Sequence, residues 1–106
     1  MKARDFELSA QAAHSFRAIG IYTKERYGRD QMKFYLDNLL ARCRALAAGH
    51  VPHQSCRTAF ADDLREDLRF ARVGQHFVIF TETAGAVQII DFIHQSAEIS
   101  AKLERK

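Results

Sequence analysis

The sequence predicts an α+β domain, in the order β-α-α-β-β-β-(α), with an antiparallel sheet packed against an αα-hairpin. Two observations carry this. Two long segments place apolar residues at helical spacing and are joined only by "YGRD". Three later runs, "DLRFARV", "QHFVIFTET" and "AVQIIDFIH", are rich in Phe, Val and Ile and are separated by glycine-containing turns. The 106 residues suffice for one domain, read as spanning 1–106, and not for two. Hydrophobic residues at 47% and charged ones at 27% are globular values and exclude disorder.

The elements follow in order. In "RDFELS", Phe6 and Leu8 alternate with Asp5 and Glu7, the period of a half-buried strand. Ser9 stands at the N-cap of a first helix, which carries Ala12, Phe16 and Ile19 at helical spacing with Tyr22 beside them. Gly28 suits the left-handed position after that helix, and Asp30 is expected to cap the next. The second helix aligns Leu36, Leu39, Leu40, Cys43 and Leu46, and Gly49 and Pro52 stop it. So short a connection makes the two helices antiparallel. Burial of each large apolar side chain contributes about 1.5–3 kcal/mol before entropy is subtracted, so another surface must cover this stripe.

The three strand-like runs supply it as an antiparallel meander, turning at Val73-Gly74-Gln75 and at Gly85. The run 76–81 is apolar on both faces, which suits a central strand. "SAEISAKLE" is expected to form a last short helix capped by Ser96. The long segment 49–67 is read as a functional loop or the cover of a further short element.

Charge and cysteine content narrow the function. The net charge of +3 permits an anionic partner without requiring one. Apolar runs are far shorter than the ~18 residues of a membrane span. "MKARDFELS" has no apolar signal-peptide core, so a cytoplasmic location is expected, with Cys43 and Cys56 as free thiols.

Four stretches carry a family resemblance. They are "FELSAQAAHSFRAIGIYTKERYG", "DQMKFYLDNLLARCRALA", "LRFARVGQHFVIF" and "VQIIDFIHQ". In this order the chain resembles the ParE branch of the RelE/ParE toxins of bacterial type II toxin–antitoxin systems. The resemblance implies the β-α-α-β-β-β fold derived above. It also implies a toxin that inhibits DNA gyrase by binding, without catalysis, and that a ParD-like antitoxin neutralises. Two alternatives stand beside it: a RelE-like ribosome-dependent mRNA endonuclease, and a relative that pairs with its antitoxin but is no longer toxic.

RNA cleavage through the 2′-hydroxyl needs a base, cations for the phosphate and an acid on one face. Glu66, Arg69, Arg72, His76 and His94 are the available parts, with Arg69, Arg72 and His94 the residues of a nuclease or, otherwise, of target contact. Three things weigh against cleavage. No tyrosine follows Tyr35, Asp91 occupies a closing-strand position where the family often has a basic residue, and Arg69 and Arg72 face opposite sides of a regular strand. Direct nucleic-acid binding is therefore not expected.

The hairpin from Ser9 to Ala48 holds seven Lys and Arg against three acids, a net +4. That charge suits an acidic antitoxin. Tyr22, Phe34 and Tyr35, with Arg26, are read as the antitoxin-binding residues, lining a groove for an amphipathic helix. The loop "GHVPHQSC" spaces His50, His53 and Cys56 three apart, with Cys43, His76 or Asp62 as a conceivable fourth ligand. The paired motifs of zinc sites are missing, so neither metal nor cofactor is expected.

Overall fold

The structure, a computed structural model, describes residues 5–105. Residues 1–4, on which part of the N-terminal reading rests, and Lys106 lie outside the described residues.

Strand β1 (Asp5–Leu8) leads into helix α1 (Ala10–Tyr27). Ser9 caps α1 as expected. Its Oγ accepts the Ala12 N–H at 3.0 Å and donates to the Ile90 carbonyl at 2.7 Å. Gly28, at φ 90°, ends α1 by donating to the Lys24 carbonyl, and its own carbonyl accepts the Met32 N–H of α2 (Arg29–Ala47). A side chain would strain this backbone. The expected cap Asp30 lies inside the first turn of α2 and makes no capping bond, because the helix begins one residue earlier. Its charge still opposes the helix dipole favourably.

The sheet has the order β1-β5-β4-β3-β2. Strands β3 (Arg69–Val73), β4 (His76–Glu82) and β5 (Ala86–His94) form the expected antiparallel meander. β1 joins it parallel to β5, so the full sheet is mixed. The long connection through both helices permits that direction. A β-bulge inserts Ile90 opposite the Ile79/Phe80 step, and its carbonyl takes the Ser9 hydroxyl.

The segment 49–67 contains two short elements, β2 (Gln54–Ser55) and α3 (Cys56–Ala59). β2 pairs with Arg69 and Phe70; two more pairs along this register would set Pro52 against Arg72, and proline has no N–H to offer. The C-terminal helix α4 (Ile99–Lys102) starts after Glu98, with no side-chain cap. Ser96, the expected cap, is engaged by His94 instead.

Two apolar layers flank the sheet. Ala12, Ile19, Leu39, Cys43 and Leu46 of the hairpin meet Ala71, Val78, Phe80, Val87 and Ile89 on one face. On the other, Cys56, Leu64, Leu68, Ile99 and Leu103 cover Ile79 and Ile93. Phe60, Phe70 and Phe77 stack there with ring centroids 4.6–5.6 Å apart. β4 alternates between the layers, which is why its sequence is apolar throughout. Arg65 pairs with Asp67 and Glu104, and Arg105 with Asp63, fastening the C-terminal segment over the second layer.

Candidate functional site

The hairpin overhangs one end of the sheet. Beneath the overhang lies an open cleft of about 930 Å³. Tyr22, Thr23 and Tyr27 of α1 and Gln31 and Tyr35 of α2 form its upper walls. Gly74, Gln75 and His76 at the β3–β4 turn, with His94 and Ser96 after β5, form its floor. Apolar walls with a few convergent polar groups are the usual make-up of a binding site.

The floor is a hydrogen-bonded chain. The Tyr35 hydroxyl accepts the Gln75 N–H at 3.1 Å and donates to His76 Nδ1 at 2.6 Å. His76 pairs across the strands with His94, their rings edge to face with centroids 5.2 Å apart. The Ser96 N–H donates to His94 Nδ1, which leaves the proton on Nε2, 3.3 Å from Gln75 Oε1. The bulge creates this pair. Near the turn Glu82 faces Val87, and that register without the extra residue would set His76 against Ile93 and turn His94 to the other face.

Burial, helped by the neighbouring His94, pulls the His76 pKa down to about 4, and burial raises that of Tyr35. The neutral imidazole therefore remains an acceptor for the tyrosine. An unfolded chain takes up this proton near 6.5, and the folded chain only near 4. Stability should fall as pH drops through that window, by about 2 kcal/mol after discounting for the ring's partial exposure. Urea unfolding at about pH 7 and about pH 4.5 measures the loss, and His76→Asn should flatten it.

The other predicted site residues do not gather here. Arg69 Nε donates to His53 Nδ1 at 2.6 Å on the helix-facing side, and His53 Nε2 lies 3.3 Å from Glu82. Arg72 points from the opposite side, donates to the Gly74 carbonyl at 3.1 Å and pairs with the Gln95 side chain. The strand parity expected from the sequence thus separates the two arginines. Glu66 is exposed on the segment before β3. Asp91 accepts from the Ser15 hydroxyl and the Phe92 N–H, tethering α1 to β5.

The sheet also divides the loop histidines from the cysteine. His50 is exposed, His53 is held by Arg69, and Cys56 is buried in the second layer. Burial pushes the Cys56 thiol up to about 11, away from the thiolate a metal needs, although Arg69 opposes the shift. Asp62 is exposed. No group of three or more metal-binding side chains converges among the described residues. Cys43 and Cys56 are free and lie in different layers.

Comparison with known proteins places this geometry. The family described as "ParE toxin of type II toxin-antitoxin system, parDE" matches residues 6–99. The chain belongs to the ParE toxin family. A chain of the structure "Chromosomal ParDE TA system from P. aeruginosa" shares the fold, with a TM-score of 0.63 at 12% identity, over 87% of this chain and 96% of that one. No curated protein matches. No helix among the described residues is long and apolar enough to cross a membrane.

The surface of this ParE-family chain is uneven. Among the described residues the exposed large apolar ones, Ile21, Tyr22, Tyr27 and Phe34, all lie on the hairpin. Among the described residues every arginine outside the hairpin has a hydrogen-bonding partner: Arg57, Arg65, Arg69, Arg72 and Arg105. None of the seven Lys and Arg of the hairpin forms an ion pair or side-chain hydrogen bond with another described residue, and Arg26 lies over the Tyr22 ring at 5.4 Å. Tyr22, Tyr27 and Tyr35 line the cleft together. Phe34 stands outside it, 63% exposed, because one residue along a helix turns the side chain by about 100°.

Proposed function

We propose that this ParE-family chain is a toxin that inhibits DNA gyrase by binding it, and that a ParD-like antitoxin neutralises it by docking on the helix hairpin. The observation that supports this most is the concentration on one hairpin, beside a cleft, of exposed aromatic side chains and of cations that pair with no side chain among the described residues. An acidic amphipathic helix would cover the tyrosines and meet Arg26 and its neighbours. Members of the ParE family act by binding protein rather than by catalysis. The separation of Arg69 from Arg72, and the engagement of Arg69 by His53, weigh against the ribonuclease alternative. This reading places the chain in the cytoplasm, where gyrase works.

Expression in growing bacteria tests it. Growth should stop, a reporter plasmid should lose negative supercoiling, and co-expression of a ParD-like antitoxin should restore both. Growth arrest with plasmid topology intact and messenger RNA cut would support the ribonuclease alternative instead.

A further inference from the structure

The chain's best-built polar network outside its ion pairs joins α2 to the β3–β4 turn. Tyr35 and Gly74 line both the main cleft and a smaller cavity of about 370 Å³. The Tyr35 hydroxyl binds Gln75 and His76 at 3.1 and 2.6 Å. Gly74, at φ 57°, passes so close that a Cβ there would sit 2.7 Å from the ring. Nothing in such a turn demands a tyrosine from a helix: a two-residue Gly turn closes without one.

What the turn carries gives the tyrosine a purpose. Gln75 accepts from His94 Nε2 through its side chain, and its carbonyl accepts the Gln95 N–H at 2.8 Å. Arg72 reaches the Gly74 carbonyl and the Gln95 side chain. Gln75, Gln95 and Arg72 are exposed and His94 is half-buried, so all four present polar groups at the same end of the sheet. The patch holds two amides, one imidazole and a single guanidinium. One cation is too little for a nucleic-acid backbone, whose binding rests on several phosphate contacts. Amides and one arginine suit a protein surface offering carbonyl and carboxylate acceptors.

We infer that Tyr35 is a positioning residue, which from helix α2 fixes the β3–β4 turn and thereby presents Arg72, Gln75, His94 and Gln95 to the toxin's protein target. The inference rests on the gyrase reading above for the identity of that target. Holding these side chains in place before contact reduces the entropy lost on binding.

Tyr35→Phe tests it, because the ring and its packing remain and only the hydroxyl is lost. The Gln75 amide, whose acceptor is removed, should exchange with solvent about tenfold faster. Inhibition of gyrase supercoiling should weaken about tenfold. A tyrosine that only stabilises the fold would leave inhibition unchanged at concentrations and temperatures where Tyr35→Phe is fully folded. Arg72→Ala should reproduce the loss of inhibition with Gln75 protection intact. Unchanged Gln75 exchange, or unchanged inhibition, in Tyr35→Phe would overturn the inference. A wild-type chain without effect on gyrase would overturn the gyrase reading itself, and the exchange rate would still decide whether Tyr35 holds the turn.

Discussion

Gly74→Ala is expected to destabilise the folded chain by about 3 kcal/mol. Two costs combine. A residue with a Cβ at φ 57° costs about 1 kcal/mol. The new methyl would lie 2.7 Å from the Tyr35 ring and 2.8 Å from its hydroxyl. That ring cannot swing away cheaply, because Gln75 and His76 hold it, and overpacking of this kind costs about 1–3 kcal/mol. Urea unfolding of Gly74→Ala, Tyr35→Ala and the double variant separates the two. In the Tyr35→Ala background the glycine substitution should cost only the backbone part, about 1 kcal/mol. Equal costs in both backgrounds would show that the tyrosine does not press on the turn.

Tyr22→Ala and Tyr27→Ala are each expected to lower affinity for a ParD-like antitoxin by about 2 kcal/mol, close to thirtyfold, with little loss of fold stability. Both rings are more than half exposed, at 56% and 64%, so the folded chain buries little of them. Both line the cleft, so a partner seated there would bury them fully. Phe34→Ala is a useful contrast. It removes an equally exposed ring outside the cleft, so its effect on affinity tells whether the partner also wraps the outer face of the hairpin. Calorimetric titration reads all three. If the two tyrosine variants bound as tightly as the parent, the cleft would not be the antitoxin's seat.

The hairpin and the meander were legible because their signals are periodic. Leu36, Leu39, Cys43 and Leu46 repeat with the helix, and β3 to β5 carry the aromatic and branched residues of strands. Elements too short to show a period were not legible. β2 has two residues and α3 has four, and nothing in "QSCRTA" distinguishes them from a loop. The parallel direction of β1 is a tertiary fact, set where Ser9 meets the bulge in β5. The site was hidden for a similar reason. Tyr35 and His76 are 41 residues apart, and a tyrosine beside Phe34 reads as another partner-facing aromatic. Facing of His76 by His94 depends on one extra residue, Ile90, that no period announces. His53 and Cys56 looked like neighbours in a ligand row, and the strand between them sends one to each side of the sheet. The tight glycine turn was visible, but the ring that makes its glycine necessary was not.

On the proposed function, the chain binds gyrase and is switched off by an antitoxin on its hairpin. A supercoiling assay with purified gyrase, relaxed plasmid and this chain tests it most directly. Supercoiling should be lost, with trapped DNA breaks, and a ParD-like antitoxin should reverse the loss for the parent chain and reverse it poorly for Tyr22→Ala. Full gyrase activity at chain concentrations well above those of the enzyme would contradict it, and ribosome-dependent RNA cleavage would then be the activity to assay.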